Sequence, residues 1–275
     1  MEIKGVDVST YNGAIDWGKV KADGYSFAIL KIINKSLAKD SKFEANWTGC
    51  DSAGVTIQGV YNYSYATTIA KAVQDANAVV DTLNGRKAMV WLDVEDNVQK
   101  GLGARLIDII NTYQSIIEAA GLAFGVYTGL SFYNSYIKPY KSNVNCPFWI
   151  ARYGKNNGSK VDSNKPGISH TLYGWQYTSK GAVSGISGAV DLNVFYQNAG
   201  TGTDTSHTYP TIRKGSKGAY VTFLQQRLAA KGYSCGAIDG IFGAKTLEAV
   251  KALQVDNSLQ VDGIVGAKTW AKVVA

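Results

Sequence analysis

Cysteine and histidine are scarce in this chain of 275 residues, which contains three cysteines and two histidines. Cys50, Cys146 and Cys235 are odd in number and far apart, so we expect reduced, mostly buried thiols and no disulfide framework. His170 and His207 provide too few partners for a cysteine–histidine catalytic pair or a zinc site. The sequence therefore predicts a protein that carries no metal and no other cofactor.

Long hydrophobic runs are also missing. No apolar stretch approaches the roughly 18 residues of a membrane span, so we expect no membrane insertion. The N-terminal segment MEIKGVDVST lacks both the apolar core and the small-residue cleavage site of a secretory signal. We expect synthesis in a host cytoplasm, and a target outside the cell would then be reached by another route, such as permeabilisation during lysis.

The net charge of +7 is unevenly distributed. Residues 211–275 contain nine lysines and arginines against four acidic residues, whereas residues 1–197 contain nineteen against sixteen. A basic segment can be attracted to a polyanion such as nucleic acid, a membrane or an anionic cell wall. It can equally be a solvated surface, and charge alone does not distinguish these readings.

A segment rich in glycine, threonine and serine, residues 198–210, lacks apolar periodicity and predicts an interdomain linker. It separates a larger domain, residues 1–197, from a smaller one, residues 211–275. Eight apolar runs in the larger domain predict strands, at residues 3–9, 27–33, 56–65, 88–95, 123–129, 147–153, 172–178 and 189–194. Helical patterns occupy residues 40–53, 67–84 and 102–120. This alternation predicts an α/β fold with a parallel barrel whose last strands are joined with little helix.

Several of these runs become polar or aromatic at their C-terminal ends. Barrel enzymes gather their catalytic groups at that rim, so the pattern predicts an active site there. The residues concerned are Asp7, Lys31, Tyr63, Asp93 with Glu95, Tyr127, Arg152 with Tyr153, Gln176 and Asp191.

The segment MVWLDVED, residues 89–96, carries the strongest local signal. Four apolar residues lead directly into Asp93 and Glu95, and the i, i+2 spacing places both side chains on one face of a strand. Mutual repulsion and partial burial should raise at least one carboxyl pKa, as general acid catalysis requires. The alternative is a strand-end pair that caps the next helix, a role we assign to Asp96 and Asn97.

Asp7 and Asp191 end the first and last predicted strands, which are neighbours in a closed barrel. The predicted site thus holds four carboxylates, Asp7, Asp93, Glu95 and Asp191. Such a cluster can also bind a hard cation, although few other features favour a metal.

Aromatic residues in the predicted strands suit a sugar ligand, because their faces stack on pyranose C–H groups. These residues are Tyr61, Tyr63, Tyr65, Tyr127, Trp149, Tyr153, Trp175 and Tyr177. Alternation sends about half of them outward. We predict that the substrate contacts Tyr63, Tyr127, Tyr153 and Trp175, together with Tyr61 and Lys31.

Ordered motifs across residues 3–196 resemble those of glycoside hydrolase family 25. They are GVDVSTYNGAIDW (5–17), FAILK (27–31), GVYNY (59–63), WLDVED (91–96), GVYTG (125–129), FWIARY (148–153) and GWQYTSKGAVSGISGAVDLNVF (174–195). The resemblance implies a modified barrel of five β/α units followed by three strands. It also implies cleavage of the β-1,4 bond between N-acetylmuramic acid and N-acetylglucosamine in peptidoglycan.

The resemblance further implies that Glu95 is the general acid/base and that Asp93 orients the 2-acetamido group or stabilises the oxocarbenium centre. Asp7 and Asp191 become supporting carboxylates, and the reaction is expected to retain configuration with assistance from the substrate. The chain departs from the family pattern after FAILK, where residues 32–35 read IINK and lack the usual glutamate. Asn62 also replaces a common histidine, which predicts a different subsite contact.

An internal repeat marks residues 211–275: DGIFGAKT (239–246) recurs as DGIVGAKT (262–269), and each copy follows a helical segment containing Leu-Gln. The pattern predicts a small all-α domain of three helices, with Asp239 and Asp262 as turn formers. It resembles the type 1 peptidoglycan-binding domain, which implies attachment to the cell wall. The alternative is a structural appendage without a ligand.

Two other functions remain open from the sequence: a chitinase-like hydrolase, and a non-catalytic carbohydrate-binding protein on a barrel of this type. Nucleic-acid binding explains the basicity but not the carboxylates, so we expect peptidoglycan as partner and no nucleic acid. The resemblance fits an endolysin-like enzyme that acts on the wall after release. The sequence predicts no particular oligomeric state.

Overall fold

The protein is described by a computed structural model that covers residues 1–196 and 209–274. Eight strands form a closed barrel in sequence order. They are β1 Glu2–Val8, β2 Phe27–Lys31, β3 Thr56–Tyr63, β4 Val90–Asp93, β5 Phe124–Gly129, β6 Phe148–Ala151, β7 Leu172–Gly181 and β8 Val190–Tyr196. The predicted barrel is therefore confirmed.

Helices follow each of the first five strands. They are α1 Trp17–Ala22, α2 Phe43–Ala53, α3 Ile69–Leu83, α4 Ala104–Ala119 and α5 Leu130–Phe132, the last continuing into the irregular turns Tyr133–Ile137 and Lys138–Asn143. The expected five β/α units and three further strands are thus present. The sequence patterns predicted α2, α3 and α4 but not α1 or α5, which are too short to show helical periodicity.

The last strand reverses direction. Consecutive strands from β1 to β7 pair in parallel, but β8 runs antiparallel to both β7 and β1. The parallel direction expected for the strands is therefore wrong for β8. Only residues 182–189 connect it to β7, and a parallel crossover needs about a dozen residues or more.

Aromatic side chains fill the inside of the barrel, where Trp91 packs edge to face against Trp149 and Phe195. Glycines on neighbouring strands make room for these rings. A Cβ atom at Gly125 would lie 2.3 Å from the Trp91 ring, and one at Gly174 would lie 2.3 Å from the Phe195 ring. The interior is therefore a packed core beneath the rim, and any ligand must bind above it.

Three helices form the C-terminal module: α6 Ala219–Ala230, α7 Ala244–Asp256 and α8 Ala267–Val274. Its pseudo-symmetry is held by two buried glutamines. Gln225 donates to Asp239 and accepts from the amide of Gly240, while Gln254 donates to Asp262 and accepts from the amide of Gly263.

The two repeat aspartates do form turns. Asp239 Oδ1 accepts the amide of Ile241 at 2.9 Å, and Asp262 Oδ1 accepts the amide of Ile264 at 2.8 Å. The predicted all-α module with turn-forming aspartates is confirmed by these contacts.

Helix α6 packs against α3 and α4 of the barrel. Tyr209 lies at this contact: its hydroxyl donates to the carbonyl of Ser115 at 2.8 Å, and its ring stacks on Trp270 at 4.7 Å. Trp270 in turn donates to the carbonyl of Pro210. Residues 198–208 of the predicted linker, His207 among them, lie outside the described residues, whereas Tyr209 and Pro210 are packed.

The three cysteines are buried and unpaired, as the sequence predicted. Among residues 1–196 and 209–274, no helix combines the length and the apolar character needed to cross a bilayer.

Candidate active site

A cavity of about 370 Å³ opens at the rim formed by the C-terminal ends of β1 to β7. It contains nine of the ten side chains predicted for the site: Asp7, Lys31, Tyr61, Tyr63, Asp93, Glu95, Tyr127, Tyr153 and Asp191. Ser9, Tyr11, Asn12, Trp149, Gln176 and Ala189 complete the lining.

Trp175 is the predicted contact that does not line this cavity. Gln176 points into the barrel, so alternation along β7 directs Trp175 outward. The Trp175 side chain is 1% exposed, packs against Tyr177 and donates to the carbonyl of Arg152 at 2.9 Å. The expectation that Trp175 contacts substrate is therefore not supported by its position.

Asp93 and Glu95 reach the cavity together from the end of β4. The amide of Val94, between them, donates to the carbonyl of Tyr127 at 2.9 Å, and its carbonyl accepts the Thr128 hydroxyl at 2.6 Å. These bonds continue the extended pairing with β5 beyond the last residue of β4. The i, i+2 spacing therefore places both carboxyls on one face while Val94 is buried on the other.

The Asp93 carboxyl is 4% exposed, and its Oδ1 atom is buried without a protein hydrogen-bond partner. Burial raises its pKa well above the usual range, and the charges of Glu95 and Asp7 raise it further. Lys31 opposes this shift. Among the lining residues, Lys31 is the one lysine or arginine, so the cavity has a strong excess of acidic groups.

Glu95 is half-buried, and the amide of Gly129 donates to its carboxylate. Burial raises the pKa of Glu95, with smaller contributions from Asp7 and Asp96. A carboxyl whose pKa is raised in this way retains its proton closer to neutral pH, which is what a general acid needs.

Asp7 is held by two amide side chains. Gln176 and Asn193 both donate to Asp7 Oδ2, at 2.8 and 2.7 Å. The Gln176 oxygen accepts hydrogen bonds from Tyr127 at 2.7 Å and Tyr153 at 2.5 Å. Because donors occupy the Gln176 amide oxygen, the Gln176 amide nitrogen must face Asp7.

The Asn193 oxygen is fixed in the same way by the Trp149 indole, at 2.9 Å. Burial raises the pKa of Asp7, and the hydrogen bonds from Asn193 and Gln176 counteract that rise. Burial likewise raises the pKa of Asp191, and the charges of Asp7 and Glu95 add to the rise. Four carboxyls in one poorly hydrated space cannot all be ionised at low cost.

Three further residues from the sequence motifs have positions that decide their roles. Asp96 accepts the amide of Val98 at 2.9 Å and so caps the turn Asn97–Gln99, as predicted. Asn62 is buried against Tyr113 of α4, so it makes no contact in the cavity. Asn34 is exposed, and its side chain closes its own loop by accepting from Ser36 and Ala38.

Ser9, Tyr11, Asn12 and Asn193 also belong to the site, although no sequence pattern predicted a role for them. The first three form a short turn after β1, and Asn193 follows Asp191 by two residues in β8. Within the part of the chain that is described, no three His, Cys, Asp or Glu side chains are grouped so that they could hold a metal ion.

Comparison with known sequences gives two family matches. Residues 6–186 match the model of Glycosyl hydrolases family 25, and residues 217–273 match that of a peptidoglycan binding domain. Lysozyme M1 of Streptomyces globisporus is 29% identical over 208 residues, which cover 72% of this chain and 69% of that protein. The autolytic lysozyme of Clostridium acetobutylicum is 28% identical over 270 residues, covering 97% and 77% respectively.

Solved structures show the same architecture. A bacterial lysozyme from Streptomyces coelicolor superposes with a TM-score of 0.53 at 29% identity, covering 70% of this chain and 91% of that one. The catalytic domain of endolysin ply40 from bacteriophage P40 of Listeria monocytogenes gives a TM-score of 0.61 at 24% identity, covering 72% and 95%, and supports the fold.

Proposed function

This chain belongs to family 25 of the glycosyl hydrolases, and from that membership we propose that it cleaves the β-1,4 bond between N-acetylmuramic acid and N-acetylglucosamine with Glu95 as general acid/base. The family and its lysozyme relatives establish the coarser activity, that of a glycoside hydrolase acting on peptidoglycan. The residue roles and the stereochemical course are the proposal.

One observation carries the assignment of roles: Asp93 and Glu95 share a cavity, and the buried Oδ1 of Asp93 has no protein partner there. An orphaned buried oxygen is costly unless a ligand satisfies it. The N–H of a 2-acetamido group is a donor of the right kind. Asp93 would accept this hydrogen bond and so hold the acetamido carbonyl oxygen against the anomeric carbon.

Glu95 would then donate its proton to the glycosidic oxygen as the bond to the anomeric carbon breaks. The acetamido oxygen forms a bond to that carbon and an oxazolinium intermediate results. In the second step Glu95, now ionised, removes a proton from water. The water oxygen attacks the anomeric carbon from the side that the leaving group vacated and opens the oxazolinium ring. Two inversions at one carbon give net retention.

The surroundings of Asp7 favour this route over a protein nucleophile. One Asp7 oxygen accepts two amide donors, which stabilises the carboxylate and lowers its nucleophilicity. Asp93 and Glu95 project from one strand to one face. This placement suits their proposed contacts with two neighbouring groups of the substrate, the 2-acetamido group and the glycosidic oxygen. Asp7 and Asp191 would instead stabilise positive charge at the anomeric centre.

The C-terminal module would attach the enzyme to the wall and raise its concentration at the substrate. We take residues 1–197 as the catalytic barrel and residues 211–275 as the module, limits that contain the matched residues 6–186 and 217–273. A relative of the module occurs elsewhere: a spore cortex-lytic enzyme of Bacillus cereus is 43% identical over 63 residues, which cover 23% of this chain and 24% of that enzyme.

Clearing of purified cell walls by Glu95→Gln tests the assignment. We expect a loss of roughly a hundredfold to ten-thousandfold, because the variant lacks the transferable proton, while wall binding persists. Glu2→Gln provides a matched control, since Glu2 is exposed at the opposite end of β1. Undiminished clearing by Glu95→Gln would refute the assignment.

Product analysis by mass spectrometry and proton NMR tests the bond and the stereochemistry. We expect fragments with a reducing N-acetylmuramic acid end, formed first as the β-anomer. A reducing N-acetylglucosamine end would indicate the chitinase-like or another bond specificity. Wall binding by the unmodified protein without any cleavage would favour the non-catalytic alternative.

A further inference from the structure

Tyr11 is a large aromatic side chain that stands in solvent at the edge of the catalytic cavity. It is 90% exposed, although it belongs to the cavity lining. Its backbone is fixed by a capping box: the Ser9 hydroxyl accepts the amide of Tyr11, and Asn12 Oδ1 accepts the amide of Ser9 at 2.9 Å. The backbone that carries this ring is therefore fixed before a ligand binds.

The same turn is anchored from a second side. The amide of Thr10 donates to Asp40 Oδ2 at 3.2 Å, and the Thr10 hydroxyl lies 2.7 Å from that of Ser41. Asp40 is itself buried and also caps the loop before α2. The position of Tyr11 is therefore built into the loops after β1 and β2.

A second aromatic surface continues outward from the cavity along the end of β3. The ring of Tyr63, which lines the cavity, lies 5.0 Å from that of Tyr65, which is outside the lining. The Lys35 ammonium lies 4.4 Å from the centroid of the Tyr65 ring. Tyr11 and Tyr63 line the same cavity and Tyr65 packs on Tyr63, so the three rings lie along one stretch of the rim.

Lys35 gives this stretch a positive charge. It is exposed, and within residues 1–196 and 209–274 no carboxylate forms a salt bridge with it. Lys31, nearer the carboxylates, is 6.0 Å from the centroid of Tyr11. An exposed ammonium next to stacking surfaces can pair with an anionic group on a ligand without an internal competitor.

We propose that Tyr11, Tyr65 and Lys35 form a further substrate subsite at the outer edge of the cavity, which stacks a sugar of the glycan strand and pairs with an anionic group carried near that sugar. The inference rests on the proposed function, because the strand must continue out of the cavity to reach these residues. The anion is a carboxylate of the stem peptide or a phosphate of a wall-linked polymer, and both offer oxygen acceptors to Lys35.

The length of the glycan substrate tests the stacking part. Tyr11→Ala should lower kcat/KM on long glycan chains by roughly threefold to tenfold. Tyr65→Ala, at a position outside the cavity lining, should lower kcat/KM on long chains by a similar factor and leave cleavage of the shortest cleavable fragments within about twofold. Tyr11→Trp keeps a stacking face and should preserve activity on long chains. An equal loss on short and long substrates, or no loss on either, would overturn the subsite.

The charge of Lys35 is tested on three substrates: intact walls, walls stripped of phosphate polymers, and glycan chains freed of stem peptides. Lys35→Gln should lower kcat/KM on intact walls by roughly threefold to tenfold at low salt, and Lys35→Arg should not. Lys4→Gln, at the opposite end of β1, is the matched control. Loss of the effect on stripped walls identifies the phosphate, and its loss on peptide-free chains identifies the carboxylate.

An effect of Lys35→Gln that persists unchanged on both modified substrates, or that is absent on intact walls, would contradict the anion contact. Failure of the proposed function looks different. In that case the unmodified enzyme leaves all three substrates intact, or the Glu95→Gln variant clears them as fast as the unmodified enzyme does. An active enzyme that depends on Glu95 but is indifferent to Tyr11 and Lys35 refutes the subsite alone.

Discussion

Asp7 and Asp191 face each other across the antiparallel pairing of β1 and β8, where the barrel closes. Their charges are coupled, since Asp7 is among the causes that raise the pKa of Asp191. Two carboxyls brought together in a poorly hydrated rim make the folded state less stable whenever both are ionised. Activity and stability should therefore respond in opposite directions when one of them is neutralised.

Asp191→Asn should stabilise the protein at neutral pH. The folded-state pKa of Asp191 is raised, so the folded protein holds this proton more tightly than the unfolded chain does. The contribution of the protonated Asp191 carboxyl to the free energy of unfolding is thus fully present below about pH 4, the pKa in the unfolded chain. It is lost as the pH rises through the pKa in the folded protein. Removing the carboxyl should raise the free energy of unfolding at pH 7.5 by at least about 1 kcal/mol and leave it nearly unchanged at pH 3.5.

Thermal unfolding of Asp191→Asn at those two pH values provides the measurement, and wall clearing should fall at least tenfold in the same variant. Asp81→Asn is the control, because Asp81 is exposed on α3. An equal change in midpoint at both pH values would show that the titration of Asp191 is not the cause.

Gln176→Met should shift the pH dependence of the reaction. Gln176 donates to Asp7 and accepts from Tyr127 and Tyr153, so methionine retains the volume but removes the link. With one donor lost, the pKa of Asp7 rises, and the ionised form is reached only at higher pH. The acidic limb of the kcat/KM profile should move upward, with roughly tenfold lower activity at pH 6.

Tyr127→Phe is the matched variant for this link. It removes one donor to Gln176, but Tyr153 still fixes the orientation of the amide. We expect a smaller loss of activity and an acidic limb close to that of the unmodified enzyme. A profile displaced as far as that of Gln176→Met would show that the tyrosines, and not the donor to Asp7, set the pKa.

The sequence predicted the neighbour of Asp191 correctly but not the direction of its strand. Barrel closure predicted that it would lie next to Asp7, and it does. Asp191 was nevertheless predicted at the end of a parallel strand, whereas it is the second residue of the antiparallel β8. Strand direction depends on the connection before it, and the apolar pattern of a strand reads the same in both directions.

The outward direction of Trp175 and the contact between Asn193 and Asp7 could not be predicted from the sequence. Alternation determines that neighbouring residues of β7 face opposite sides, but the phase is set by packing, and β7 contains register shifts against β8. Asn193 contacts Asp7 from a strand at the other end of the domain sequence. Its i, i+2 spacing from Asp191 places both side chains on one face of β8, but only the closed barrel shows that Asp7 is its partner.

The two buried glutamines of the C-terminal module offer a matched pair of tests. Gln225 and Gln254 each bind an aspartate, a carbonyl and a threonine through one amide nitrogen. Replacing either by alanine leaves buried partners unsatisfied, which should cost the module about 2–4 kcal/mol of stability. Gln260→Ala, at an exposed position, should cost about 0.5 kcal/mol or less.

Wall pull-down and cleavage of soluble fragments measure the outcome for this pair. Both glutamine variants should bind walls more weakly at 37 °C while cleaving soluble fragments normally, because every residue lining the cavity lies in the barrel. Unimpaired wall binding by both variants, with the module shown to be unfolded, would contradict its role as the wall attachment.

Deleting residues 198–275 should have two separable effects. Helix α6 packs over an apolar patch on α3 and α4, where Phe223 and Arg227 line one cavity together with Val80 and Ile116. The isolated barrel exposes this patch, so its thermal midpoint should fall by several degrees, at about 2–4 °C per kcal/mol for a domain of this size. Soluble fragments should still be cleaved within about twofold below that midpoint, whereas wall clearing should drop by tenfold or more. Lost packing lowers the thermal midpoint, whereas lost attachment lowers wall clearing alone. An equal loss of activity on soluble fragments and on walls at low temperature would show that the module supports the catalytic rim and does not act by binding the wall.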